Sequence, residues 1–280
     1  MPRGMTQTGE RRHQTWDGTP RGEERLKIRL LAIVAAATAS LLALPSTPLL
    51  AKSLLDYRHI LLDGHRVKWG IPRAGTGAVI TYATLNERER FPAARNCGEM
   101  VALAPLLAAN HVDNRTFQSE LRVAFDLWSA AANIRFEPAA SVDSADILIG
   151  AQAKPRGRAF TNIEFDRAAP AGAILSLTRS MICLSPAARW KTGFDGNLDV
   201  YDLRYTLLHE IGHAIGLDHP AIQSQLMDFR YNEKFRAPQE GDVRGVVALY
   251  GMPSEPGLAA RETSRSRVAT ARPAPIENGG

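Results

Sequence analysis

The 280-residue chain is 45% apolar and 22% charged, a composition that fits one large globular domain with tails and excludes a disordered or fibrous protein. Its formal charge of +5 lies mostly in residues 1 to 51, which carry seven basic and four acidic side chains and leave 27 basic against 25 acidic for the remainder. That near balance excludes a nucleic-acid partner recognised through general basicity.

Residues 1 to 29 are polar, lack apolar periodicity and end in Arg25-Leu26-Lys27-Ile28-Arg29; the uncharged run Leu30 to Leu44 follows. A basic flank ahead of an apolar run this short is a signal-peptide pattern rather than a comfortable membrane span. Residues 1 to 51 are therefore read as a polar leader plus signal peptide, cleaved after Ala51 or Ala39, or else as an uncleaved anchor. Either way the remainder is exported, to a periplasm or to the cell exterior, and touches a membrane only through this segment. The short stretch between Ala51 and the first strand is expected to hold no separate folded segment.

A Pro/Gly-containing turn from Ile71 to Gly77 leads into Ala78 to Ala83, whose apolar and β-branched run predicts a central strand. Residues 86 to 113 form a separate block: charges at Asn86 to Arg90, then Cys97, then the apolar Met100 to Ala109, a predicted short helix over one end of a sheet. Cys183 is the only other cysteine. Two cysteines in an exported chain predict one disulfide, with unpaired thiols or a metal-blocking Cys97 as the alternatives. Pairing would pin the block to the strand around Ile182 to Leu184.

Apolar residues at Phe117, Leu121, Ala124 or Phe125, and Trp128 repeat at helical spacing over residues 114 to 132, with Asn114 as the expected cap and Trp128 in the core. Two strands are predicted at Ala173 to Leu177 and Ile182 to Ser185. Thr192 to Asp199 is a turn-rich linker. Its Asp195, Asn197 and Asp199 alternate as oxygen ligands do in calcium loops, but the loop is too short and incomplete to support Ca2+ over ordinary loop roles. Asp202 is the expected cap of a helix whose buried stripe is Leu203, Leu207, Ile211 and Ile215. Residues 253 to 280, rich in Pro, Ser, Arg and Ala, are expected to be a disordered tail.

That last helix carries His209-Glu210-Ile211-Gly212-His213, continuing through Gly216 to His219. Histidines four apart share one helix face and can bind one metal ion. Gly216 suits the sharp exit turn that brings His219 back as a third ligand. Three histidines with an open fourth position make a catalytic rather than a structural site, with one Zn2+ ion. Glu210, beside the ion but not bound to it, can take a proton from zinc-bound water. The chance of the whole HExxHxxGxxH pattern arising at random in this chain is on the order of 1 in 50,000.

The extended motif, followed by Met227 in Gln225-Leu226-Met227-Asp228-Phe229-Arg230-Tyr231, resembles the metzincin zinc metalloproteases and, by its short spacing to the methionine turn, their matrixin branch. Arg66 to Gly70 with Ile80 to Tyr82, Ala124 to Ser129 with Ile134 to Phe136, Ala145 to Gly150, and Glu240 to Gly251 extend the resemblance over residues 65 to 252, with 86 to 113 as an insertion. It implies an α+β metzincin catalytic domain: a twisted mixed five-stranded sheet with an active-site helix, a backing helix and a C-terminal helix. It also implies a methionine turn at Met227 supported by Asp242, a pocket wall at Tyr231, and a cleft edge formed by the strand before the active-site helix, here Gly172 to Ser176 with Ile174 and Leu175.

Three features depart from the family. Asp228 and Phe229 replace the tyrosine and proline of its methionine-turn sequence, Gly241 replaces the first of two aspartates, and residues 151 to 208 contain no histidine, so no histidine-bound structural zinc is expected. The bacterial-type matrixins are the nearer likeness. The function implied is that of a monomeric, exported zinc endopeptidase acting on proteins or peptides. The alternative is a catalytically silent zinc protein that captures peptides or surface partners.

Overall fold

The computed structural model describes residues 56–167 and 174–253. The leader, the signal-like run, residues 168–173 and the tail lie outside the described residues. Short strands β1 (Arg58–His59), β2 (Leu61–Leu62) and β3 (His65–Lys68) precede β4 (Ala78–Thr84). The insertion contributes β5 (Glu89–Arg90), β6 (Glu99–Val101) and helix α1 (Ala104–Ala109). Helix α2 (Asn114–Ala131) is followed by β7 (Ile134–Pro138), β8 (Ile147–Gln152), β9 (Ala159–Phe165) and β10 (Leu175–Leu184). Then come β11 (Trp190–Lys191), β12 (Tyr201–Asp202), α3 (Leu203–Ala214), β13 (Leu217–Asp218) and α4 (Glu240–Tyr250).

The fold is α+β. Its sheet has a body of five strands in the order β7-β4-β8-β10-β9, extended by β3 and β2 beside β10 and by β6 and β5 beside β8. Strands β7, β4, β8 and β10 are parallel, and β9 is antiparallel to β10. Parallel neighbours need crossovers, and the insertion with α2 makes the longest of them, from β4 to β7.

Alternation explains why both faces of the sheet are dry at β8 and the second half of β10. On β8, Ile147, Ile149 and Ala151 face the main core with α2 and α3, while Leu148 joins a second cluster; on β10, Ile182 and Leu184 face the first and Met181 and Cys183 the second. The insertion closes that second cluster with Phe91, Cys97 and Met100. Cys97 and Cys183 are joined in a disulfide across 86 residues of sequence, which ties the insertion to β10. Replacing both cysteines by alanine is expected to cost about 4.5 kcal/mol by the loop-closure argument. Chemical denaturation with and without reductant checks this: reductant should reproduce the loss in the native chain and change nothing in the double variant.

Local structure departs from the sequence reading in four places. Asp113, not Asn114, caps α2, accepting from the Thr116 N–H at 2.9 Å; Asn114 is the first helical residue. The two strands expected around 173–185 are one, β10, because the polar Thr178 and Arg179 mark a register shift rather than a break. There β10 changes neighbours from β3 at Leu175 and Ser176 to β8 from Ser180 onward.

The third departure concerns the cleft edge. Ile174 and Leu175 are buried, Leu175 pairs with Val67, and the Ser176 carbonyl accepts from the Asp166 N–H. They are interior, since β9 adds outside β10 and takes the edge itself; Gly172 and Ala173 lie outside the described residues. The fourth is the arm ahead of His65: β1 pairs antiparallel with β13, and β2 with β3, so the folded body extends upstream of residue 65.

Candidate metal centre and active site

Helix α3 begins where Asp202 accepts from the Tyr205 N–H at 2.8 Å, the N-cap that the sequence predicts. Burial is not limited to the Leu203, Leu207, Ile211 stripe. Every residue from Tyr205 to Gly212 is buried, because the sheet, α2 and the methionine turn surround the helix. Trp128 of α2, fully buried, donates its indole N–H to the Leu208 carbonyl at 2.9 Å.

The end of α3 is held from three sides. Trp69 Nε1–H and the Ser180 hydroxyl donate to the Ala214 carbonyl, and the Tyr250 hydroxyl donates to that of Ile215. These satisfy carbonyls the helix leaves open. Gly216 then turns the chain at φ +102°, where a Cβ would come within 2.4 Å of the Val67 carbonyl oxygen. Both the angle and the approach require glycine. The reversed chain runs as β13 against β1 and delivers His219.

The three imidazoles converge. Nε2 of His219 lies 3.2 Å from Nε2 of His209 and 3.2 Å from Nε2 of His213. His209 Nδ1 is 2.9 Å from the Leu226 carbonyl and His213 Nδ1 is 2.8 Å from that of Leu217. A nitrogen facing a carbonyl carries the hydrogen, so both Nε2 atoms hold lone pairs. A proton on His219 could bond only one of them at a time, whereas one cation satisfies all three. Nitrogens held tetrahedrally about 2.0–2.1 Å from zinc stand roughly 3.3–3.4 Å apart, close to the observed spacing, so this donor set fits the ion.

The methionine turn lies beneath. Met227 Sδ would be 2.3 Å from a Cβ on Gly212, so the absent side chain leaves room for the sulfur under the helix. Asp242 of α4 accepts from the N–H groups of Leu226, Met227 and Gln239 at 2.8, 3.2 and 2.7 Å. At Gly241 the partner is Gln225, whose Oε1 accepts the glycine N–H. Asp242 is thus linked through Leu226 to the orientation of His209.

Glu210 is buried beside the histidines. Its Oε2 accepts from the Thr161 hydroxyl at 2.7 Å, and its backbone carbonyl lies 3.0 Å from the same hydroxyl. Desolvation raises its proton affinity, opposed by His213 and by the Thr161 bond. Desolvation, reinforced by His213, lowers His209 to about 3 despite the Leu226 contact, so that ring is neutral in the folded chain.

The sign of the resulting pH dependence follows. Above pH 6.5 the His209 ring is neutral in both states. Below it the unfolded chain takes up a proton that the fold refuses, and stability falls until about pH 3. Glu210 and Asp242, raised by burial, pull the other way. The expected observation for chelator-treated protein is therefore a difference: the stability–pH slopes of wild type and His209→Gln diverge by up to about 1.4 kcal/mol per pH unit between pH 6 and 4. Parallel slopes would refute the assignment.

Tyr231 donates to Glu233 Oε1 at 2.6 Å and accepts from the Asp202 N–H at 2.7 Å. Its ring meets Tyr205 edge-on at 4.8 Å, and Tyr205 in turn stacks at 6.5 Å on His209. Phe229, which the sequence sets where the family has proline, is partly exposed with its ring 6.5 Å from that of His219. A cavity of about 520 Å³, bordered by Phe194, Leu198, Asn232 and Arg236, opens along the segment after Tyr231. The suggested calcium loop is otherwise engaged: the Lys191 ammonium bonds Asp195, the Asn197 carbonyl and Glu233. Asp195 and Asn197 side chains accept from backbone N–H groups two residues on. These oxygens are engaged by a lysine and by local turns.

The family model for matrixins matches residues 105–251. The chain belongs to the matrixin family. Matrixins are zinc metalloendopeptidases. Relatives of this matrixin include metalloendoproteinase 1-MMP of Arabidopsis thaliana, 29% identical over 153 residues, covering 51% of this chain and 40% of the relative. Neutrophil collagenase of Homo sapiens is 30% identical over 145 residues, 49% of this chain and 29% of its own. Matrix metalloproteinase-9 of Canis lupus familiaris is 44% identical over 57 residues, 20% and 8% respectively. The chain thus spans less than half the length of each of these curated relatives.

Proposed function

We propose that this matrixin is an exported zinc-dependent endopeptidase in which His209, His213 and His219 hold the ion and Glu210 is the general base. The observation that carries the reading is the convergence of three imidazole nitrogens beside one buried carboxylate. Zinc bound there supplies Lewis acidity, polarising a scissile carbonyl and acidifying a water. Glu210 takes a proton from the attacking water and passes it to the leaving amine; its burial favours this by strengthening it as a base. Carbonyl contacts at both Nδ1 atoms keep the His209 and His213 lone pairs aimed at the ion.

The substrate is a protein or peptide lying extended along β9, whose outer side pairs with no other strand among the described residues; main-chain bonds to such an edge recognise any extended peptide. Tyr231, braced by Tyr205, walls the neighbouring side-chain pocket. The catalytic unit is a monomer that ends near residue 252, with the leader and tail outside it. Export is supported by the uncharged run after Arg29 and by the disulfide, which persists in oxidising compartments. Among the described residues no helix is long and apolar enough to cross a membrane.

The test is the full chain with zinc and a quenched, mixed-sequence peptide library. Cleavage of internal bonds that stops on chelation is expected, with the cut sites giving the pocket preference. Zinc bound at one per chain with no cutting above the chelated control would sink the reading.

A further inference from the structure

Strand β9 was not singled out by its sequence, yet it reaches the base directly. Its side chains alternate between two environments. Phe160 packs on the cluster containing the disulfide, and Asn162 Oδ1 accepts the N–H groups of Asn96 and Cys97 at 3.0 and 2.9 Å. Thr161, between them, points the other way, toward α3, and its hydroxyl meets Glu210 Oε2 at 2.7 Å. Among the described residues it is the only side chain that hydrogen-bonds this carboxylate.

A glutamate on a helix can populate several χ3 orientations, each presenting a different oxygen to the cleft. A half-buried hydroxyl on a strand fixed from behind selects one. We propose that Thr161 is a positioning residue, whose hydroxyl anchors Glu210 through Oε2 and leaves Oε1 as the oxygen presented to the attacking water. The insertion then has a role in the chemistry: through Asn162 and the Cys97–Cys183 bond it clamps β9 at the residue next to Thr161. This inference rests on Glu210 as the general base.

The experiment compares Thr161→Val, which keeps the shape and removes the hydroxyl, with Thr161→Ser, which keeps the hydroxyl. Both are made in the full zinc-loaded chain beside wild type and Glu210→Ala. Thr161→Val should lower kcat by about 10- to 100-fold with KM within about twofold, and Thr161→Ser should restore kcat to within about threefold. Zinc content and Tm should be unchanged in both. A crystal structure of Thr161→Val should have the Glu210 carboxylate in a changed or mixed orientation.

Unchanged kcat in Thr161→Val, or equal losses in both variants, would overturn the proposal, as would a loss that tracks zinc content or Tm. If wild type cuts no better than Glu210→Ala, the base assignment itself fails. The crystal structures then decide separately whether Thr161 sets the carboxylate, an unmoved Glu210 in Thr161→Val counting against it.

Discussion

Glu210→Gln is expected to lower kcat/KM for peptide cleavage on the order of 10³-fold while leaving zinc content at one per chain and Tm close to wild type. The amide preserves the shape of the side chain and can still accept from Thr161, but it cannot take a proton from water. Because Glu210 faces none of the three Nε2 atoms in a bonded contact, its replacement should leave the metal in place. Parallel kinetics and metal analysis check this. Equal, negligible cutting by wild type and variant, with zinc retained in both, would favour the alternative of a silent site that captures peptides.

Asp242→Ala is expected to carry the largest stability cost of any single substitution near the site, about 3–5 kcal/mol. The carboxylate is buried and accepts three backbone N–H groups, and each donor left unsatisfied costs about 1–3 kcal/mol before the chain relaxes. The damage should reach the metal. Leu226, whose N–H Asp242 fixes, offers its carbonyl to His209 Nδ1, and losing such an outer contact typically lowers metal affinity about 10- to 100-fold. Denaturation midpoints and competition with a zinc indicator measure the two effects. A variant that is destabilised yet binds zinc with unchanged affinity would break the proposed link between α4 and the ligand.

How far the sequence could be read followed from how local each signal was. The three-histidine cluster was legible because helix periodicity, a turn glycine and the histidines lie within eleven residues, and only Gly216 satisfies the turn beside Val67. The caps at Asp202 and Asp113 are equally local signals, although the second was assigned one residue late. The edge of the sheet was not legible. Ala159 to Phe165 does not alternate cleanly: Ala159 and Phe160 are both apolar, and the polar Thr161 and Asn162 are both engaged by distant segments, so neither face reads as plainly apolar or plainly solvent-facing. Leu175 looked like an edge because nothing in its own sequence reveals that β3 and β9 cover it. The arm at Arg58–His59 was hidden for a related reason: a two-residue strand takes its meaning from β13, some 160 residues away.

The most direct test of the account is stoichiometric. The full chain is stripped with chelator, freed of it, and titrated with zinc while cleavage of a quenched peptide is followed. Activity is predicted to start near zero, rise linearly and stop at one equivalent, with His219→Ala showing no such recovery. Cleavage that survives complete removal of the metal, or that needs no His219, would contradict a zinc centre built from His209, His213 and His219.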